Sequence, residues 1–333
     1  MVVDDPSRVG EARRVAVAIA ASVAMSDVDQ GRVALIATEA ATNLIKHAGG
    51  GEIVVRSVPT ELGGGVELLA LDRGPGIVDV GKSLRDGFST TGTAGNGLGA
   101  IRRLSDEFDM TSTSNIGTAI LARVRDKQTA GSHQKRYWRS GAVCLPVAGE
   151  VVCGDAWVVM TSAEQTSILV ADGLGHGLAA ATASGEAVRV FRGMAHAPLE
   201  RILRDLHSAL RPTRGAAVAV TTVDHSTRTL QYAGIGNIAG VIAGPDKRQG
   251  LVSLNGTLGH ELRKIQVFEY QWPPEAVLVL HSDGLATQWD LHRYPGLSSR
   301  HPGLIAGVLY RDFRRGRDDV TVLAIRDRDE GPS

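Results

Sequence analysis

The sequence predicts an α+β chain of two domains, and three observations lead there. At 333 residues the chain is long enough for two cores rather than one. A polar stretch, "DKQTAGSHQKRYWRS" (residues 126–140), has no apolar periodicity and parts two differently patterned halves. The first half reads helix, helix, strand, strand, glycine-rich loop, helix, strand, strand, whereas the second is dominated by short apolar strands with a pair of helices around Gly177 to Leu210. The expected domains are residues 1–126 and 141–328, joined by a linker over 127–140. No period of roughly 20 to 50 residues repeats, which sets aside solenoids and propellers.

Composition narrows the function classes. Hydrophobic residues make up 43% of the chain, enough for two cores, and 40 glycines point to close backbone packing and many tight turns. Lys plus Arg equals Asp plus Glu at 36 each, so neither nucleic acid nor an anionic membrane surface is an expected partner. The cysteines, Cys144 and Cys153, form no CxxC and no Cys/His cluster, and read as buried thiols of a reducing cytoplasm. The early apolar segment "VAVAIAASVAM" follows Glu11, Arg13 and Arg14 and is too short to span a bilayer. A cytoplasmic protein is expected.

In the first half, "GRVALIATEAATNLIKHAGGGEIVV" (residues 31–55) opens as a helix. Wound at 3.6 residues per turn, it sets Val33, Ala37, Ala40, Ala41, Leu44 and Ile45 on one apolar arc. Glu39, Asn43, Lys46 and His47 then form one polar stripe, which by itself reads as a solvated face. "LLALDRGPGI" follows, a strand ending in Asp72 and continuing through Gly74 and Gly76. Next, "TGTAGNGLGAIRRL" opens a helix through Gly92, Gly95, Gly97, Leu98 and Gly99. Glycines bare backbone N–H groups there, and a helix N-terminus favours phosphate. The Lys-Ser/Thr ending of a P-loop is absent from this run.

The order of these pieces is more specific than any one of them. An Asn-bearing helix, then DxGxG, then GxGLGA, then Gly117–Thr118 opening the last strand, resembles the GHKL ATPase fold, an α/β sandwich, over residues 8–125. Within that superfamily, "DGFSTTGTAGNGLGAIRRLSDEF" is similar to the RsbT-type branch of small serine kinases and anti-sigma factors. The resemblance implies that Asn43 holds the magnesium ion of bound ATP and that Glu39, a turn earlier, is the general base toward a partner's serine. It further implies that Asp72 accepts from the adenine amino group with Thr118 nearby. Gly74, Gly76 and the Gly95–Gly99 loop would form the lid, and Lys46 and His47 would offset phosphate charge. Arg73 departs from the Asn that relatives often carry.

In the second half, apolar runs twice end in Asp-Gly: "SILVADGLGHG" at Asp172 and Gly173, and "AVLVLHSDGLA" at Asp283 and Gly284. Asp155 in "GDAWVVM" and the Asp318–Asp319 pair in "RDDVTVLAI" begin strands instead. In antiparallel pairing, the end of one strand lies beside the start of its neighbour, so four carboxylates can gather on one rim. Clustered carboxylates repel unless a cation neutralises them, and an all-oxygen set suits magnesium or manganese better than zinc. The glycines are then expected to present a carbonyl or leave room for an ion's waters.

This order of acids resembles the PPM-type serine/threonine phosphatases, and "GDAW" with "DGLGHG" is similar to the SpoIIE/RsbX branch. The resemblance implies a β-sandwich flanked by helices and two ions. Asp172 would bridge them, Gly173 would lend its carbonyl, and Asp155, Asp283 and Asp318 would complete the shells. Asp318 ranks above Asp319, which sits where wider relatives often have Asn. His176 is either a proton donor to the leaving group or a structural turn residue. Together the two resemblances imply a bifunctional partner-switching regulator: a metal-dependent phosphatase with an ATP-binding, kinase-like domain, acting on a STAS-domain phosphoprotein in bacterial stress or sigma-factor signalling. The alternative is a phosphatase whose first domain is a non-catalytic, nucleotide-dependent binding module.

Overall fold

The computed structural model of the chain describes residues 1–58, 64–77, 79, 97–126, 138–245 and 247–327. It divides into two units, Met1–Gln134 with His292–Arg300, and Lys135–Leu291 with His301–Ser333.

The first unit lays three helices on one face of a five-stranded sheet. Helix α1 (Arg8–Ser22) buries Ala12, Ala16 and Ala20, one every fourth residue. That small-residue seam lets it lie close against α2 (Asp27–Asn43), which buries Ala37, Ala40 and Ala41 along with Val33 and Ile36. Ser26 caps α2: its hydroxyl accepts from Asp29 N–H at 3.2 Å and donates to the Asp29 carboxylate at 2.9 Å. The serine cap thus satisfies one of the helix's unpaired N–H groups. The α-helix stops at Asn43, and Leu44–Ala48 continue as one π-turn, closed by Gly49 at φ 72° with its N–H on the Leu44 carbonyl. The straight stripe expected from Glu39 to His47 is therefore broken. Glu39 and Asn43 belong to α2, whereas Lys46 and His47 sit exposed on the π-turn, because a wider turn rotates every later side chain.

The sheet runs in the order β1 (Val2–Val3), β2 (Gly51–Val58), β3 (Gly65–Leu71), β5 (Gly117–Val124), β4 (Glu107–Thr113), all antiparallel. Val66, Leu68, Ala70, Ile120 and Ala122 meet the helices, including α3 (Gly97–Leu104) through Ile101. On the other face Arg56, Glu67, Arg123 and Glu107 are in register on four neighbouring strands. Their ion pairs measure 2.8, 2.6 and 3.0 Å, so alternating sign satisfies two buried charges, Glu67 and Arg123.

The second unit is a four-layer α/β/β/α sandwich. One sheet holds β13 (Ser253–Leu254), β10 (Thr229–Ile235), β9 (Ala216–Asp224), β8 (Gln165–Gly173) and β7 (Asp155–Thr161), with β14 (Phe268–Gln271) also paired to β10. The other holds β12 (Arg248–Leu251), β11 (Ala239–Ala243), β15 (Val277–His281), β16 (Val320–Asp327) and β6 (Trp138–Leu145). Between the sheets lie Ile168, Val170, Ala219, Tyr232, Leu278, Leu280, Leu323 and Ile325. Helices α4 (Gly177–Arg192) and α5 (Leu199–Leu210) cover the first sheet through Ala183, Phe191, Ile202 and Leu206. Helix α6 (Pro302–Phe313) lies on the second, so tightly that a side chain at Gly141 of β6 would reach within 2.2 Å of Gly303 N. Among the described residues no helix is long and apolar enough to cross a membrane.

Candidate functional sites

In the first unit the polar groups converge where α2, the end of β3 and the start of α3 meet. A methyl group placed on Gly97 would stand 3.1 Å from Asn43 Oδ1 and 3.2 Å from Glu39 Oε2, so the first residue of α3 faces both side chains at close range. Asn43 Nδ2 is buried there without a hydrogen-bond partner, a group that a ligand would satisfy. Gly97, Leu98 and Gly99 form the first turn of α3, whose N–H groups lack helical acceptors. Gly95 lies outside the described residues.

At the end of β3 Asp72 is held in place. Its Oδ1 accepts from Gly74 N–H at 2.8 Å and from Thr118 N–H at 3.0 Å, while its own N–H donates to the Thr118 carbonyl at 2.9 Å. The Thr118 hydroxyl lies 2.9 Å from that of Ser112, which accepts from Ile77 N–H at 2.7 Å. Gly117 has φ +127°, and a side chain there would reach within 2.0 Å of the Asp72 carbonyl. Gly74 and Gly76 pack against Ala48 and Thr113, at 2.7 and 2.5 Å for an added carbon. The DxGxG run is thus pressed between the π-turn and the β4–β5 hairpin.

In the second unit both sheets deliver acids to one rim. Asp155 opens β7 and stands directly opposite Asp172 near the end of β8. Asp283 follows β15 by two residues, and Asp318 precedes β16 by two, across an antiparallel pair. Burial pushes the Asp155 carboxyl up to about 7, with Asp319 and Asp318 adding repulsion. Burial likewise raises Asp172 to about 8, with Asp155, Asp283, Asp318 and Asp319 contributing. Asp318 is raised too, by burial first and then by Asp283 and Asp319. Asp155 Oδ1 is buried with no hydrogen-bond partner. Among the described residues no three acid, imidazole or thiol groups are drawn together into a finished cage. Like charges without a counter-ion stay apart, and a hard cation that keeps several waters needs few direct carboxylates. The orphaned oxygen, the raised carboxylates and the all-oxygen donor set fit magnesium or manganese.

Three neighbours of the rim were not singled out from sequence. Ser282 Oγ donates to Asp155 Oδ2 at 2.7 Å and accepts from Thr321 N–H at 2.9 Å, tying the acid of one sheet to the other. Asn237 Nδ2 donates to Asp283 Oδ2 at 2.8 Å. Glu150 Oε1 is 2.6 Å from His176 Nδ1, an exposed pair at the start of α4. Only Ser282 had a signal, its place beside Asp283 in "HSDG". Asp318 and Asp319 divide their roles. The Asp319 carboxylate accepts from Val147 N–H at 2.7 Å and Gly154 N–H at 2.6 Å, so both its oxygens serve the backbone. Gly173 and Gly284 also have a packing reason. An added carbon would meet the Ala180 carbonyl at 2.2 Å in one case and the Asp319 carbonyl at 2.0 Å in the other.

The Stage II sporulation protein E family matches residues 162–328, half of the 333-residue chain. The chain belongs to the SpoIIE family. That match takes in Asp172, Asp283 and Asp318 and begins after Asp155. A histidine kinase-like ATPase domain matches residues 2–124, spanning Glu39, Asn43, Asp72 and Thr118. Over 111 residues the chain is 39% identical to the serine/threonine-protein kinase RsbT of Bacillus subtilis (strain 168), covering 33% of this chain and 84% of RsbT. Over 138 residues it is 23% identical to the phosphoserine phosphatase RsbX of the same organism, covering 41% of this chain and 69% of RsbX. Among solved structures, a chain from the bacterial stressosome, a modular system adapted to control secondary messenger signaling, superposes with a TM-score of 0.54 at 26% identity, covering 57% of this chain and all of that one. RsbX in complex with magnesium superposes at 0.50 and 19% identity, over 59% of this chain and 98% of that one, a likeness of fold. The architecture is that of a partner-switching regulator: an RsbT-like ATPase domain followed by a PPM phosphatase domain.

Proposed function

We propose that the chain sets the phosphorylation of one serine on a STAS-domain partner from both directions. The observation that carries this reading is that each unit holds a polar set the fold itself leaves incomplete: Asn43 with Glu39 against Gly97, and Asp155 with Asp172 on the rim. In the first unit, Asp72 recognises the adenine amino group and the N–H groups opening α3 cradle the phosphates, while Asn43 offers an oxygen to magnesium. Glu39, one turn before Asn43, takes the proton from the partner's serine as its oxygen attacks the terminal phosphorus and ADP leaves. The RsbT likeness supports this direction.

In the second unit, Asp155, Asp172, Asp283 and Asp318, with the Gly173 carbonyl, would hold two magnesium or manganese ions. Once bound, the ions neutralise phosphoryl oxygens and lower the pKa of a water. Ser282 orients Asp155, Asn237 orients Asp283, and Glu150 fixes one nitrogen of His176, leaving the other to protonate the departing serine oxygen. The RsbX likeness supports hydrolysis of phosphoserine.

The test is transfer of label from γ-labelled ATP to a STAS-domain protein by the full chain. Label on one serine is expected, increased in Asp283→Ala and reduced roughly 10²–10⁴-fold in Glu39→Ala, which still binds ATP. Asn43→Ala is expected to lose magnesium-dependent ATP binding. A chain that binds ATP yet never labels the partner would make the first unit a nucleotide-dependent docking module instead.

A further inference from the structure

The two cysteines have no part in the chemistry above, yet they meet beside it. Cys144 lies on β6 opposite Thr321 of β16, and Cys153 lies in the turn two residues ahead of Asp155. Both are free and partly exposed, and their sulfurs are 3.6 Å apart. Cys144 Sγ also donates to the main-chain oxygen of Asp155 at 3.6 Å.

We propose that Cys144 and Cys153 are a reversible disulfide site that weakens cation binding on the carboxylate rim when oxidised. Sulfurs in contact need to approach by only about 1.5 Å to reach bonding distance. The side that moves follows from the pairing. β6 is held along its whole length by β16, from Leu145 opposite Val320 to Trp138 opposite Asp327. Residues 151–154 belong to no strand, and Gly154 is held at two points beside the rim, its N–H on Asp319 at 2.6 Å and its carbonyl accepting from Gly173 N–H at 3.2 Å. Drawing Cys153 toward β6 therefore pulls on Gly154 and Asp155. It also removes the S–H that Cys144 donates to Asp155.

A hydroperoxide is the oxidant class. One thiol gives up its proton, the thiolate attacks the peroxide oxygen and the O–O bond breaks; the products are a sulfenic acid and, with hydrogen peroxide, a hydroxide that takes up that proton as water. The second thiol attacks that sulfur, the S–S bond forms, and the hydroxyl leaves as a second water. The two sulfurs lose two electrons, the peroxide gains them, and a dithiol reductant reverses the change.

The experiment treats the full chain with hydrogen peroxide, maps it by non-reducing peptide mass spectrometry, and measures manganese binding by calorimetry. Expected are a Cys144–Cys153 cross-linked peptide lighter by two hydrogens and manganese affinity lower by roughly tenfold, both reversed by dithiothreitol. Cys144→Ser and Cys153→Ser should keep their untreated affinity through peroxide. Absence of the linked peptide would overturn the proposal, as would a linked chain binding manganese like the reduced one. Linkage and binding are read without turnover, so a failure of the phosphatase reading, on which only the biological consequence rests, would show separately.

Discussion

The Asp72 pocket and the carboxylate rim use the same residue type in opposite ways. Asp72 receives two backbone N–H groups and keeps its place through contacts the fold supplies. Asp155 and Asp172 face each other across a ladder, raised to about 7 and about 8, with one oxygen of Asp155 unpartnered. On the function proposed above, the acid the fold satisfies meets a neutral hydrogen-bonding ligand, and the acids left in mutual repulsion meet a cation. The difference lies in what each site lacks, which is a better guide to its ligand than residue identity.

The largest effect should come from cutting into the repulsive set. Asp172→Ala is expected to lower phosphoserine hydrolysis by at least about 10²-fold, the several kcal/mol that a bound cation contributes to the transition state. The same change removes a half-buried carboxylate from opposite Asp155, so the metal-free chain should melt higher than wild type. Activity and stability would move in opposite directions. A variant that lost both would show that Asp172 holds the fold together, and the contrast with Asp72 would fail.

A smaller but sharper effect separates two adjacent acids. Asp319→Ala leaves Val147 N–H and Gly154 N–H without their acceptor, at roughly 1–3 kcal/mol each, and should lower the melting temperature by several degrees. Asp318→Ala should leave the metal-free melting temperature within a degree or two and lose the stabilisation that manganese brings. The pH dependence has a defined sign. Asp155 and Asp172 bind protons more tightly folded than at the ordinary 3.8, so the folded chain carries more protons over that window. Stability of the metal-free chain therefore falls as pH rises from about 4 to about 8, and manganese restores it most at the upper end. Scanning calorimetry with chelator and with manganese reads both; a flat profile with chelator would remove the case for repulsion.

How much of this was legible in sequence depended on how local its cause was. The strand-ending acids could be read because an apolar run meeting Asp-Gly marks both a strand and its end. The helix carrying Glu39 and Asn43 could be read because its period is local. The π-turn could not, since it rests on a hydrogen bond closed at Gly49, and a run of plausible helix formers hides the slip. The doublet Asp318–Asp319 named two candidates, but what divides them is a pair of N–H groups more than 160 residues away in sequence. The alternating row Arg56, Glu67, Arg123, Glu107 was invisible for the same reason: it exists only once four strands are in register.

Ser282 supplies the smallest effect and the finest test of the comparison, because it gives Asp155 one hydrogen bond of the kind that fixes Asp72. Its hydroxyl donates to Asp155 Oδ2 and accepts from Thr321 N–H, so it aims the carboxylate while leaving Oδ1 open. Ser282→Ala removes the aim but not the charge. Metal affinity should then fall roughly 10-fold, the lower end of the cost of losing a group that orients a ligand. Rate at saturating manganese should stay within about threefold of wild type, because the ion, once bound, meets the same oxygens. Hydrolysis rate against manganese concentration separates the two quantities. A rate that saturating manganese cannot restore would mean that Ser282 acts on the reacting phosphate itself rather than through Asp155. A midpoint unchanged from wild type would mean that repulsion among the acids, and not the hydroxyl, sets where Asp155 points.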